Sequence, residues 1–321
     1  MLKICVYLQI LFLGISCSKN PQGKKENKEL SDQNNFKTRH VIILVVDGPR
    51  YSETWGDPSH QYIPHMANEL AREGVIYTNF QNDGFTYTNS GHTALTTGFR
   101  QEIANDGQKV YPDHPSIFQY FLKFTGKSKS SAWIITTKDK LEILSNTKDA
   151  AWANQYIPSA DCGVNGIGTG YREDKVTLQS AKKILSRDHP NLVLINFKEP
   201  DASGHANNWK AYLQGIRDTD QYVWEIWNLI NTDTVFKGKT TLFVTNDHGR
   251  HLNGVADGFI SHGDGCGGCR HINFFAAGPD FKKNLIIDTE HSQVDIPATI
   301  SKLLKFPMPP TEGNVLQDLF K

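Results

Sequence analysis

A continuous apolar, β-branched run, Val41 to Val46, stops abruptly at Asp47-Gly48. Such a run is the mark of a strand buried on both faces in the middle of a parallel sheet. Its first polar residue is therefore delivered to the carboxyl end of the sheet, where open α/β folds place their ligand sites. The pattern recurs. Ala132 to Thr136 leads to Lys138, Leu192 to Phe197 leads to Glu199-Pro200-Asp201, and Thr241 to Thr245 leads to Asn246-Asp247-His248. Ile272 to Ala277 reads as one more strand. Between them, Ile63 to Gly74 carries Met66, Leu70 and Ala71 on one helical face with Gly74 as its stop, and Tyr212 to Leu229 reads as a second helix. The alternation predicts an α/β fold with a mostly parallel central sheet and helices on both faces. The recurrence gathers polar groups from distant sequence on one rim.

Lys plus Arg and Asp plus Glu both number 34 in 321 residues, so no basic field exists to steer the chain toward a nucleic acid polymer. The amino terminus carries a different message. Residues 1–17 hold one Lys, an apolar run from Ile4 to Ile15 and a Gly-Ile-Ser-Cys ending. They read as an export signal, and the ending resembles a lipobox that makes Cys17 a lipid site and a membrane anchor, although Gly14 stands where the usual Leu would be; simple signal cleavage is the plainer alternative. Residues 18–38 are polar and almost without apolar side chains, as in a flexible tether, which leaves 39–321 as the folded domain. The expected location is the periplasm or outer cell envelope of a bacterium.

The rim residues are of metal-binding types. Asp201 and His205 stand four apart with Gly204 between them, Asp247-His248-Gly249 follows a strand, and His262 lies in the glycine-rich Ser261-His262-Gly263-Asp264. With Asp47, they form a set of oxygen and nitrogen donors suited to zinc and large enough for two divalent metal ions with open positions.

Five segments, VVDG, TNSGHTALTTG, EPDASGH, NDHG and SHGDG, with FFAAGPDF after the last, resemble in order the motifs of the alkaline phosphatase superfamily, especially its type I phosphodiesterase/nucleotide pyrophosphatase branch. The similarity runs from about residue 40 to the end, where VDIPATISKLL and EGNVL resemble the closing segment. The resemblance implies one metal on Asp201, His205 and His262, and another on Asp47, Asp247, His248 and the nucleophile. His251 and His271 are rival imidazoles; His262 is preferred for its spacing ahead of Gly278-Pro279. Counting ten residues back from Gly98 places the nucleophile at Thr88, with Ser90 the nearby competitor and helix capping the plainer role for Thr88. Metal coordination would stabilise its alkoxide, and a helix start beside it would favour a phosphoryl group.

The same resemblance gives Asn105 a place on the non-bridging oxygens. Lys138-Asp139-Lys140 is similar to an element of phosphonoacetate hydrolases and some monoesterases, so Lys138 and Lys140 would suit a doubly charged substrate; a solvated turn is the plain alternative. The expected activity is hydrolysis of a small phosphate diester, monoester or phosphonate through a phospho-threonine, the EPDASGH and NDHG motifs resembling those of diesterases and the lysine pair favouring a monoester or phosphonate. A sulfatase of the same superfamily needs a Cys or Ser in a C-x-P-S-R context, which TNSGH does not supply. A non-catalytic surface lipoprotein would be expected to lose donors, and none is lost. Phe85, Tyr87, Trp152 and Trp209 are candidates for a substrate platform or for core. Cys266 and Cys269 read as a disulfide or, alternatively, a structural zinc site, and Cys162 has no evident role.

Overall fold

The computed structural model describes residues 35–321. The leader, Cys17 and the tether up to residue 34 lie outside the described residues. The folded body runs from Phe36 to Lys321. It begins with Phe36 packed on Phe320 and with the Thr38 hydroxyl donating to Asp280 Oδ2 at 2.6 Å.

In chain order the strands are β1 His40–Asp47, β2 Val75–Gln81, β3 Ala132–Thr136, β4 Ser159–Cys162, β5 Leu192–Pro200, β6 Thr240–Thr245, β7 His271–Ala277, β8 Leu285–Ile287 and β9 His291–Ser292. The helices are α1 Thr88–Thr97, α2 Ile117–Thr125, α3 Asp174–Asp188, α4 Asp201–His205, α5 Trp209–Thr232, α6 Gly267–Arg270 and α7 Asp295–Leu304. All nine strands join one sheet in the order β4-β3-β5-β1-β6-β7-β2-β8, with β9 also on β2. Among these strands β7 alone runs against the rest, since its pairings with β6 and β2 are the antiparallel ones. The predicted mostly parallel sheet is what forms.

Alternation along β1 explains the layers. Val41, Ile43 and Val45 point to one face, where α1, α2 and α7 contribute Leu95, Phe118, Phe121 and Ile300. Ile42 and Leu44 point to the other, beneath Leu178 and Leu185 of α3 and Tyr212 and Ile216 of α5. A strand covered on both sides has no polar position to spare, which is why the run is unbroken in sequence. Cys162 finds its place here: it is buried at the end of β4, a core side chain rather than a reactive one.

The segment Ile63 to Gly74 departs from a regular helix. It forms a π-turn over Met66–Leu70 and a 3-10 turn over Ala71–Glu73. Gly74 is extended, not a left-handed stop, and a Cβ there would stand 2.3 Å from the Ala276 carbonyl oxygen. Glycine is needed at this point for the close approach of β2 to β7, not for a turn.

The order β3-β5-β1-β6 makes the four strands with loaded ends immediate neighbours. A register shift between Val46 and Asp47 pairs Asp47 with Pro200 and turns the carboxylate toward the rim. Helix α1 lies against this rim so closely that a Cβ on Gly91 would meet the Asp247 carbonyl oxygen at 2.4 Å. Replacing Gly91→Ala should therefore push α1 off the sheet and lower stability by about 1–3 kcal/mol. Urea unfolding midpoints of the two proteins measure this, and an unchanged midpoint would show that α1 is free to shift.

Candidate active site

Asp47, Asp201 and Asp247 come to the rim from β1, the end of β5 and the loop after β6, and all three are buried. A buried carboxylate needs a partner for its charge. Lys138, beyond β3 and itself 2% exposed, supplies much of it: its Nζ lies 2.6 Å from Asp201 Oδ2, 2.9 Å from Asp47 Oδ1 and 3.3 Å from Thr88 Oγ1. The solvated-turn reading of Lys138-Asp139-Lys140 is overturned, because all three side chains are buried.

The ionisations follow from this arrangement. Burial and the adjacent Asp247 charge push Asp47 well above the usual carboxylate range. Burial would also raise Asp201, but Lys138 and its contacts with His205 and His262 outweigh it and hold Asp201 well below that range. Burial would lower Lys138, yet Asp201, Asp47 and Asp247 together raise it above an ordinary lysine. Lys140 goes the other way, pushed down to about 8 by burial and by the Lys138 cation.

Thr88 is the first residue of α1. The cap position is Tyr87, so the hydroxyl of Thr88 is not spent on capping. Its Oγ1 stands 3.5 Å from His248 Nε2. His248 donates from Nδ1 to the Gly249 carbonyl at 2.9 Å, which leaves the lone pair on Nε2 facing the site, and burial pushes its pKa down to about 3. That lone pair is 3.4 Å from Asp247 Oδ2 and 3.6 Å from Asp47 Oδ1. Neither carboxylate oxygen accepts a hydrogen bond of good geometry among the described residues. The Thr88 hydroxyl and the raised Asp47 carboxyl are the places for protons among these four atoms, and the lone pairs that remain form an acceptor cluster that Lys138 touches from one side. Acceptors held at 3.4–3.6 Å from one nitrogen match the edge, about 3.4 Å, of a tetrahedron of zinc ligands at about 2.1 Å. The residues present fit a divalent cation.

A second group, Asp201, His205 and His262, has all its ligand atoms within 4.8 Å of one another. Asp201 Oδ1 is 3.3 Å from His205 Nε2 and 3.4 Å from His262 Nε2. His262 donates from Nδ1 to the Thr86 carbonyl at 2.7 Å and presents its Nε2 lone pair. His205 is held differently. Arg250 Nη2 faces its Nδ1 at 3.3 Å, and because a guanidinium only donates, the proton of a neutral ring sits on Nε2, pointing at His262 Nε2 3.0 Å away. This trio would take a cation only once that proton left and Arg250 turned from the ring. His205 is half-exposed, so the trio opens to solvent on that side.

Asn105 and Lys140 form the outer wall. Lys140 Nζ donates to Asn105 Oδ1 at 2.7 Å, and the Asn89 amide near the start of α1 donates to the same oxygen at 3.2 Å. Both partners only donate, which fixes this atom as the oxygen and leaves the Asn105 NH2 as the remaining donor. An open hollow lined by Tyr87, Glu102, Ile103, Ala104 and Asn105 adjoins this wall.

Thus Asp47, Thr88, Asp247, His248, Lys138, Asp201, His205 and His262 converge, with Asn105 and Lys140 beside them. The rivals do not. His271 donates from Nε2 to the Thr78 carbonyl and stacks on Tyr51, and His251 belongs to a separate cluster. Ser90 donates to the Ile103 carbonyl and accepts from the Ile103 amide at 2.9 Å. Of the aromatic candidates, Tyr87 lies 6.3 Å from the His262 ring, whereas Trp152 packs on Tyr120 and Lys123 of α2. Trp209 stacks on Tyr212 under Arg50, and Phe85 is exposed.

Three further residues of the site escape sequence reasoning. His92, one turn below Thr88, donates from Nδ1 to the Thr88 carbonyl at 2.9 Å and stands 3.3 Å from Asp247 Oδ2. Asn196 of β5 donates to Asp47 Oδ2 at 3.2 Å. Arg250, fully buried, bonds Asp201 Oδ1 through Nη1. For His92 the only available signal is its spacing of four from Thr88 on a helix.

Comparison with known proteins bears on the fold. No curated protein sequence matches the chain. Among solved structures, murine ectonucleotide pyrophosphatase/phosphodiesterase 5 superposes with a TM-score of 0.67 at 16% identity, covering 88% of this chain and 100% of that one. An inactive variant of that protein is known in complex with AMP. Alkaline phosphatase PafA gives 0.67 at 12% identity over 88% and 99% of the two chains. The phosphonate monoester hydrolase of Silicibacter pomeroyi gives 0.61 at 12% over 87% and 76%. At these identities the likeness is one of fold. A family profile described as Metalloenzyme superfamily matches residues 21–306, most of the sequence, and implies divalent metal ions. With a sheet that follows the alkaline phosphatase-like pattern and this profile across its length, the chain belongs to the metalloenzyme superfamily.

Proposed function

We propose that the chain is an exported two-metal hydrolase of phosphate monoesters or phosphonates that works through a phospho-threonine at Thr88. The observation that carries this is the position of Thr88 Oγ1, 3.5 Å from the His248 lone pair and 3.3 Å from Lys138 Nζ, beside three buried carboxylates. Two divalent ions, one on Asp47, Thr88, Asp247 and His248 and one on Asp201, His205 and His262, would supply the charge that activates the hydroxyl, the leaving oxygen and the attacking water.

The chain's own groups do the rest. His92 ties the first turn of α1 through the Thr88 carbonyl and so fixes the direction of the hydroxyl. Lys138 places a positive charge against Oγ1, where it opposes return of the proton and attracts a phosphoryl oxygen. The start of α1 adds the positive end of a helix. Asn105, held at its oxygen by Lys140 and the Asn89 amide, turns its NH2 group to donate to a non-bridging oxygen.

Two buried lysines beside one nucleophile support a substrate whose transferred group carries two negative charges. A diester offers only one. The hollow beside Tyr87 and Asn105 gives room for the leaving group, and the AMP-bound murine neighbour binds a ligand with a monoester phosphate. The export reading of residues 1–17 belongs to the same proposal; among the described residues no helix is long and apolar enough to cross a membrane.

Thr88→Ala should lower kcat/KM on the best of a panel of monoester, diester and phosphonate substrates by at least about 10³-fold, while zinc content stays within one equivalent of the parent. Full turnover in that variant would end the nucleophile assignment. A Lys138→Ala, Lys140→Ala pair should depress monoester or phosphonate turnover about tenfold more than diester turnover, and an equal loss would remove the charge argument. Stripping metal with a chelator should destabilise the fold. Restoring zinc at about 100 times its Kd returns about 2.7 kcal/mol, read as a shift in the urea midpoint. A midpoint indifferent to zinc would contradict the acceptor cluster.

A further inference from the structure

Outside the catalytic rim, the loop from Gly249 to His271 folds His251, Asp264, Cys266 and Cys269 into a second cluster of donors. Their ligand atoms all lie within 4.8 Å of one another. We propose that this cluster is a structural zinc site with two thiolate ligands, one imidazole and one carboxylate, distinct from the two catalytic metals and serving to pin the loop that carries His262.

His251 carries the argument. It is 5% exposed, and its Nε2 makes no hydrogen bond among the described residues. The other nitrogen, Nδ1, donates to Asp257 Oδ1 at 2.8 Å, and Asp257 is held in turn by the Ser261 hydroxyl at 2.8 Å. A carboxylate on one ring nitrogen fixes the tautomer and aims the lone pair of the other, as metal-bound histidines are commonly held. That lone pair points into the cluster, 3.2 Å from Asp264 Oδ1. An imidazole lone pair against a carboxylate oxygen is unfavourable unless a cation or a proton lies between them.

The cysteines complete the set. Their sulfurs are 3.3 Å apart as free thiols, so the expected disulfide is not formed in this structure. Cys269 is fully buried, and the Cys266 amide donates to Asp264 Oδ1 at 2.9 Å, which locks the Asp-Gly-Cys turn. Sulfur and imidazole donors together select zinc over magnesium or calcium. Binding would release the two thiol protons to solvent, leaving two thiolates, one carboxylate and one neutral imidazole around a dication, with one net negative charge. Arg50 and Arg270 brace this shell by donating to the His251 and Gly265 carbonyls at 3.1 and 2.7 Å.

The placement gives the site its purpose. His251 is three residues past His248 and Asp264 is two past His262, so one ion would link the segments that feed each catalytic group. Cys269 already ties to the first segment, its carbonyl accepting from the Gly249 amide at 2.8 Å.

The test is metal analysis of the purified full chain, zinc-loaded under reducing conditions, in an Asp47→Asn, Asp247→Asn background and in the parent. In both, a Cys266→Ser, Cys269→Ser pair should lose one equivalent of zinc. Cobalt substitution should give thiolate-to-cobalt charge-transfer absorption that persists in Thr88→Ala and vanishes in the serine pair. Should the serine pair not fold, Asp257→Asn keeps every direct ligand and should weaken zinc retention at this site about 10- to 100-fold against a competing chelator. The proposal is overturned if the protein purified without reductant is two hydrogens lighter and stays so after zinc is offered with reductant, or if zinc content is the same with and without the cysteines. Neither result bears on the Thr88 chemistry, which is read by turnover.

Discussion

Three carboxylates buried at the ends of adjacent strands are the constraint to which the rest of this molecule answers. Asp47, Asp201 and Asp247 are each at most 3% exposed. Withdrawing a charge from water costs several kcal/mol even after relaxation, so a fold that does this three times within one cluster must supply positive charge in the same place. The chain supplies part of it: Lys138 sits between Asp47 and Asp201, and Arg250 sits on the far oxygen of Asp201. What remains is the Asp247 side, where imidazoles and one hydroxyl face the carboxylates and no second lysine reaches. This local shortage of cations is one that divalent ions would fill.

The sheet is arranged so that this shortage is not relieved by movement. The strands that carry the charges are fixed by parallel pairing with β1 in the centre, and α1 is locked against the rim by the contact of Gly91 with the Asp247 backbone. Helix α1 is buried along its whole length and rich in threonine, and its hydroxyls bond back to carbonyls one turn earlier, as Thr96 does to His92 and Thr97 to Thr93. These back-bonds satisfy part of a buried polar helix from within, while Asn89 Oδ1 and Thr93 Oγ1 find no partner among the described residues. Thr88, the proposed nucleophile, therefore starts a rigid element, with its direction set in advance.

The central strands were legible because burial on both faces leaves an unbroken apolar run, and their polar ends announced the rim. The fold class and the convergence of the donors followed from those two signals. Strand β2 was not legible: the half-buried Thr78 and Asn79 interrupt its apolar run, since only part of it is covered, and its pairing with β7 joins residues far apart in sequence. Arg250 was invisible for a related reason. Adjacent to the Asp247-His248-Gly249 motif, it reads as a surface charge, and only the fold shows that Gly204 leaves space for its guanidinium against Asp201. Lys138 and Lys140 could be read as solvated or buried until the strand order put β3 beside β5.

Arg250 also separates the two donor groups chemically. The group around Thr88 and His248 is mostly acceptors, with the Lys138 ammonium touching Thr88 Oγ1 and Asp47 Oδ1 from one side. The group around Asp201 is already satisfied: the guanidinium supplies charge to the carboxylate, and the His205 proton bridges to His262. An ion entering there would displace a proton and a guanidinium, while one entering beside Thr88 would meet the Lys138 ammonium and, on the proposed chemistry, take the place of the hydroxyl proton. It follows that the two positions are unequal by construction. On the proposed two-metal reading, the seat beside Thr88 would be the enclosed one, and the seat opposite it, next to half-exposed His205, the one open to exchange. In the proposed in-line displacement an ion held by Asp201, His205 and His262 would serve the leaving oxygen and then water, so the more open seat would lie where exchange is required.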